Sequence, residues 1–232
     1  MDLEQFDIQH CLSALPLFSD LSPLERERIA LGCHLKRLTR GEILFRVGDA
    51  CEAFYVVVSG QVKLYVSSPS GQEKVIEIIG PGHSFAEALV FLRRPHIVNA
   101  QALATTMMVS VTKQAVFSEV ERDPRFSLHM LAGISRRLHR LIQDVEGYAL
   151  QSGMQRLIGY LLRDVEVEAG ISGGGITVNL PASKATVASR LSLTPEYFSR
   201  VLHELEAQDL IHIDKRNIRI LDVQRLASFG SH

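Results

Sequence analysis

Residues 184–211 read KATVASRLSLTPEYFSRVLHELEAQDLI. The first eight residues predict a short helix with Val187, Ala188 and Leu191 turned to a core, and Ser192-Leu193 supplies a turn. Thr194 then fits an N-cap, and Pro195 takes the first helical position, where its missing N–H costs nothing. Phe198, Val201, Leu202, Leu205 and Leu210 make an apolar stripe at helical spacing. Glu196, Ser199 and Arg200 are left on the opposite face near the helix N-terminus, where a recognition helix places the side chains that reach base edges. Thr194, Tyr197 and Lys184 are further candidates for DNA contact. A surface helix with scattered charges accounts for Glu196 or Arg200 alone, but not for the whole cassette.

The chain continues as HIDKRNIRILD. Alternation of Ile211, Ile213, Ile218 and Ile220 predicts two short strands turned at Asp214-Lys215-Arg216-Asn217. A hairpin behind a helix-turn-helix is a wing. Lys215, Arg216 and Arg219 would there meet phosphates, which positions a protein without specifying sequence.

The 232 residues are enough for two domains with separate cores. A formal net charge of −1 excludes a generally basic coat, so DNA contact must come from a local patch. No apolar run approaches the ~20 residues of a membrane span, and the start MDLEQFD is unlike a signal peptide. A soluble, cytoplasmic protein without membrane partners is expected. Cys11, Cys33 and Cys51 are widely spaced and form no CxxC, so buried reduced thiols are expected rather than a metal site.

From residue 40 to about 113, glycines separate the β-branched runs EILFRV, AFYVVVSG, QVKLYV, KVIEII and MMVSV. Such a texture argues for a β-sandwich or barrel. Pro69-Ser70-Gly71-Gln72 reads as a hairpin turn and Gly80-Pro81-Gly82 as a corner. A helical segment with Leu21, Leu24 and Ile29, opened by Ser22-Pro23, precedes it. A long helix is expected over residues 124–151, with Leu131, Ile134, Leu138, Leu141, Val145 and Tyr148 at coiled-coil spacing. A single apolar seam of this kind suits a homodimer, whose paired reading helices demand a near-palindromic site. The expected divisions are a sensor at 1–123, a dimerisation helix at 124–151 and a winged helix-turn-helix at 152–232.

Taken together, these segments resemble the CRP/FNR family of bacterial transcription regulators. RGEILFRVGDACEAFYVVVSGQVKLY is similar to the family's jelly-roll signature, with Gly41, Glu42, Phe45, Gly48, Asp49, Ser59 and Gly60 at its turns. The resemblance runs from about residue 15 to 226. It implies an α+β fold: an N-terminal double-stranded β-helix (a jelly roll like that of cyclic-nucleotide-binding domains), a long dimerisation helix and a C-terminal winged helix-turn-helix. RNA polymerase is an implied partner. Glu196, Ser199 and Arg200 match the FNR-like pattern Glu-x-x-Ser-Arg, which implies a double-stranded operator resembling TTGAT-N4-ATCAA. The chemistry agrees, because Arg pairs with guanine O6 and N7, Glu accepts from the cytosine amino group and Ser contacts thymine.

The resemblance also implies where an effector would bind: Phe85, Glu87, Ile97 and Val98. Members that bind cyclic AMP carry glycine-glutamate and arginine-serine pairs in this cassette. Here Glu87 keeps the ribose-binding position, but Ala86 replaces the glycine, and Ile97 and Val98 replace the phosphate ligands. A phosphate buried against Ile and Val has no counter-charge, so cyclic AMP is not expected. An iron–sulfur cluster is not expected either, since the N-terminal part offers only Cys11 and Cys33. GQEKVIEI, SFAEALVF, SRRLHRLI and LTPEYFSRVLHEL are similar to the Dnr subgroup, which implies a nitric oxide response through haem b and control of denitrification or anaerobic genes. An axial ligand would most often be histidine. His10, His34, His83, His96, His129, His139, His203, His212 and His232 are all present, and no motif selects one. The alternative is a regulator without haem that answers to another small molecule or to none. An enzyme is not expected, because His83 and Glu87 are the only close ligand pair in the roll. No catalytic or metal-ligating residue is therefore assigned.

Overall fold

In the computed structural model, which describes residues 7–13, 18, 21–162 and 176–229, the apolar run AFYVVVS has a reason for lacking polar alternation. It lies in a sheet covered on both faces, and such strands are buried on both sides. The chain divides into two units, Met1–Arg140 and Leu141–His232. The first opens with α1 (Ile8–Ser13) and α2 (Pro23–Ala30), then β1 (Cys33–Leu38), β2 (Ile43–Phe45), β3 (Ala53–Ser59), β4 (Val62–Ser67), β5 (Glu73–Ile79) and β6 (Ser84–Phe85). After α3 (Glu87–Leu92) come β7 (Asn99–Ala102), β8 (Thr106–Thr112) and α4 (Lys113–Arg122). The long α5 (Pro124–Leu150) crosses the division.

The strands form two four-stranded antiparallel sheets, ordered β1-β8-β3-β6 and β2-β7-β4-β5. Ala53, Tyr55 and Val57 of β3 face Phe45, Val62, Leu64, Phe85, Ala100 and Met108 in a core between the sheets. Phe54 and Val56, on the alternate face, join a second core with Leu12, Ile29, Val116 and Phe126 from the helices. Both sides of one strand are thus occupied, which is why the run is continuously apolar.

Local chemistry sets the element ends. Ser22 caps α2 through a full capping box with Glu25. Arg28 of α2 grips the buried carboxylate of Glu119 on α4, tying two helices 91 residues apart. Asp123 ends α4 in an extended conformation, as a residue before proline must, and its side chain accepts from the Arg125 backbone N–H at 3.0 Å to start α5. The Arg125 guanidinium holds the Asp123 carboxyl well below the usual carboxylate range.

The second unit contains α6 (Gly153–Leu162), β9 (Ile176–Asn179), α7 (Lys184–Arg190), α8 (Pro195–Ala207), β10 (Ile211–Asp214), β11 (Asn217–Ile220) and α9 (Val223–Phe229). The expected hairpin is present, with Ile211 opposite Ile220 and Ile213 opposite Ile218. A third strand, β9, which the sequence reading did not find, pairs with β11 so that Val178 lies opposite Ile218. Leu157, Leu161, Val187, Phe198, Leu202, Leu205, Ile218 and Leu226 are fully buried and make this unit's core.

Candidate nucleic-acid interface

The reading helix is fixed at its start. Ser183 caps α7 by accepting from the Thr186 N–H at 3.1 Å. Ser192 takes a left-handed conformation in the turn, with φ of 56°, and the Leu193 N–H closes it onto the Ala188 carbonyl at 2.9 Å. Thr194 Oγ1 then accepts from the Tyr197 N–H at 3.2 Å, and Pro195 occupies the first helical position. Phe198, Val201, Leu202 and Leu205 are buried, which fixes the rotation of α8. Glu196 and Arg200, one turn apart, are consequently exposed, and Ser199 is half-buried between them. The Arg200 guanidinium lies 4.9 Å from the centroid of the Tyr197 ring.

An open hollow of about 610 Å³ gathers Thr194, Glu196, Tyr197 and Arg200 with the Ser192-Leu193 turn and with Gly153 and Arg156 of α6. Arg156 Nη2 donates to the Ser192 carbonyl at 3.5 Å, at the limit of a hydrogen bond. Helix α6 and these two residues were missed from the sequence, although a signal was there. Ser152 and Gln155 form a reciprocal cap, with Ser152 N–H to Gln155 Oε1 at 2.7 Å and Gln155 N–H to Ser152 Oγ at 3.2 Å. The hollow does not include Lys184, half-buried on α7, or the wing. Lys215 and Arg216 form the exposed two-residue wing tip, with Lys215 left-handed at φ 54°, and Arg219 is exposed on β11.

In the first unit the four expected effector residues differ in exposure, and Val98 packs against the inter-sheet core that contains Phe85. Phe85 is fully buried between the sheets, Glu87 is buried and Val98 half-buried, whereas Ile97 is 66 % exposed. Ala86 keeps the backbone that glycine would favour, at φ 72° and ψ 5°. Among the nine histidines, which the sequence did not rank, His96 is buried and stacked face to face on Phe45 at a centroid distance of 3.5 Å. Its Nδ1 is sealed from solvent and has no hydrogen-bond partner among the described residues, and burial lowers the His96 pKa from the usual histidine value. No pattern in the sequence marks it, because Phe45 and His96 meet only in the folded sheets. His83 is exposed, with Nδ1 3.1 Å from the Pro81 carbonyl, and His139 is exposed on α5. The side chain of His129 and all of His232 lie outside the described residues.

A haem requires an open approach to its axial nitrogen. The Nδ1 of His96 is sealed by the packing around it and is closed to a haem iron as packed. Among the described residues no cluster of three or more His, Cys, Asp or Glu is arranged to hold a metal ion. Cys33 and Cys51 are buried and Cys11 half-buried; burial pushes the Cys33 thiol up to about 12 and raises the other two. Burial thus favours the protonated thiol at each position.

On α5 the seam is open. Leu131, Leu138 and Val145 are exposed, as are the neighbouring Leu128 and Ile142, while Ile134 and Leu141 are half-buried. The Tyr148 side chain lies outside the described residues. No described helix is long and apolar enough to cross a membrane.

Comparison with known proteins adds relatives to this geometry. Residues 35–123 match the cyclic nucleotide-binding domain family, and residues 155–229 match the Crp-like helix-turn-helix domain family. The crystal structure of DNR from Pseudomonas aeruginosa is similar at 34 % identity, over 97 % of this chain and 99 % of that one, with a TM-score of 0.53. The transcriptional activator protein Anr of Pseudomonas protegens is 27 % identical over 95 % of this chain and 92 % of its own. FixK2 from Bradyrhizobium japonicum shares the fold, with a TM-score of 0.75 at 21 % identity over 86 % of this chain and 98 % of that one.

Proposed function

Since this chain belongs to the CRP/FNR family of DNA-binding transcription regulators, we propose that it acts as a homodimer on an FNR-type palindrome resembling TTGAT-N4-ATCAA. The observation that carries this reading is the presentation of Glu196 and Arg200 on the exposed face of a helix whose start is fixed by Thr194 and whose rotation is fixed by its buried stripe. Arg200 would read guanine as a bidentate pair, Glu196 would accept from the cytosine amino group, and Ser199 would contact thymine. Lys184, Lys215 and Arg216 would meet phosphates and supply salt-sensitive affinity. The seam of α5 supports the homodimer, because Leu131, Leu138 and Val145 are exposed along it and Leu128 and Ile142 beside it. RNA polymerase is the partner through which such a dimer would act.

An effector in the first unit would act by binding the DNA-competent arrangement more tightly than the other. Nitric oxide acting through haem, with denitrification or anaerobic genes as the target, rests on the resemblance of GQEKVIEI, SFAEALVF, SRRLHRLI and LTPEYFSRVLHEL to the Dnr subgroup. The alternative is a regulator that answers to another small molecule or to none. Anaerobic fluorescence anisotropy on the palindrome, with the protein alone, with haem, and with haem plus nitric oxide, separates the two. Tight binding only in the last state establishes the haem reading, and equal binding in all three removes it. In the same assay Arg200→Ala should weaken the palindrome complex by about 1–3 kcal/mol and leave random DNA nearly unchanged. Equal weakening on both would reduce Arg200 to a phosphate contact.

A further inference from the structure

We propose that Tyr197 is a positioning residue for Arg200: its ring holds the guanidinium ready for a base edge, and Gly153 is the clearance that lets the ring lie there. This rests on the reading of α8 as the base-reading helix. Three observations meet at one side chain. The Arg200 guanidinium sits over the Tyr197 ring at 4.9 Å, within the range of a cation–π contact. The backbone beneath the ring is fixed, because the Tyr197 N–H donates to the Thr194 cap. The ring itself is pressed against the first residue of α6: a Cβ added at Gly153 would fall 2.5 Å from Tyr197 Cε1 and 2.8 Å from Leu193 Cδ2. A tyrosine anchored at its backbone and braced along its edge gives a defined platform to a long, exposed side chain. Ordering that arginine before DNA arrives removes part of the cost of ordering it in the complex. Glu196 and Arg200 then differ in kind, since the shorter carboxylate needs no such support.

A phosphate contact by the tyrosine hydroxyl is the rival role: it would weaken both duplexes alike in Tyr197→Phe and leave the ratio unchanged even in Tyr197→Leu. The full chain first selects a consensus from a randomised duplex pool, so the site does not depend on any assumed operator. Affinities are then measured by anisotropy on that consensus and on a scrambled duplex, and the ratio is the readout. A variant that merely folds less well loses both affinities together and leaves the ratio unchanged. Tyr197→Phe keeps the ring and should hold the wild-type ratio. Tyr197→Leu should lower it about two- to fivefold, the size of an exposed cation–π contact. In an Arg200→Ala background the same substitution should change the ratio no further, because the residue it serves is gone. Gly153→Ala, which drives the ring from its seat, should mimic Tyr197→Leu and should also be silent without Arg200. The proposal is overturned if Tyr197→Phe loses as much as Tyr197→Leu, if both duplexes weaken equally, or if the effect persists without Arg200. Failure of the wild-type chain to select any consensus removes the base-reading role of α8 itself, and the positioning role with it.

Discussion

Placing a carboxylate in the middle of the α5 seam, as Leu138→Glu, tests the homodimer most directly. Leu138 is 57 % exposed in the single chain, so roughly half of its side chain remains to be covered by a partner. Full burial of a leucine side chain stabilises by about 1.5–3 kcal/mol, so covering that half contributes roughly 1–1.7 kcal/mol per protomer. A two-fold dimer counts the residue twice, giving about 2–3.4 kcal/mol, or a roughly 30- to 300-fold weaker dimer when it is lost. Glutamate adds the desolvation of a charge at each copy, so these figures are a lower bound. Sedimentation equilibrium on wild type and variant reads the dissociation constant. Anisotropy on a full palindrome and on a half-site reads the consequence, because a dimer gains on the full site and a monomer does not. A variant that remains as dimeric as wild type, with its full-site preference intact, would refute the reasoning and leave the seam to another occupant. Circular dichroism controls for helix loss, which is not expected, since Leu and Glu have similar helix propensities.

Two further outcomes follow from the first unit. His96 is neutral when buried, with its pKa below the ordinary 6.5, so the unfolded chain takes up a proton that the folded one resists. Stability should therefore be full above about pH 6.5 and fall as the pH drops through the histidine range. His96→Phe, which retains a ring to stack on Phe45, should flatten that slope in urea titrations between neutral and mildly acidic pH; an unchanged slope would clear His96 of the effect. Ala86 holds a left-handed backbone that penalises a Cβ by about 1–2 kcal/mol, against the smaller entropy cost of glycine in the unfolded chain. Ala86→Gly should thus raise the urea midpoint by the equivalent of about 0.5–1 kcal/mol, and a lowered midpoint would show that the methyl group is needed for packing.

Much of the second unit could be read in one dimension because its signals are local. Thr194 and Pro195 announce the start of α8 within three residues of the bonds they make, and its apolar stripe repeats at the period of a helix. The wing follows from alternation across a two-residue turn, and the seam of α5 from heptad spacing alone. These properties need no knowledge of what lies opposite, and Glu196 and Arg200 are indeed exposed. Helix α6 was equally legible through Ser152 and Gln155 but carries no charged pattern to draw attention to it.

Tertiary structure decided what depends on a distant partner. The segment CHLKRL has neither clean alternation nor turn signals, yet it becomes β1 because β8 offers it a six-residue ladder from Cys33↔Val111 to Leu38↔Thr106. NAQA becomes β7 only between β2 and β4. The stacking of His96 on Phe45 arises because the sheet brings the end of β2 beside the segment that leads into β7. The seat of Tyr197 against Gly153 likewise exists only because α6 packs beside α8. Caps and periodicities are written in neighbouring residues, whereas burial, stacking and clearance belong to pairs that only the closed chain defines.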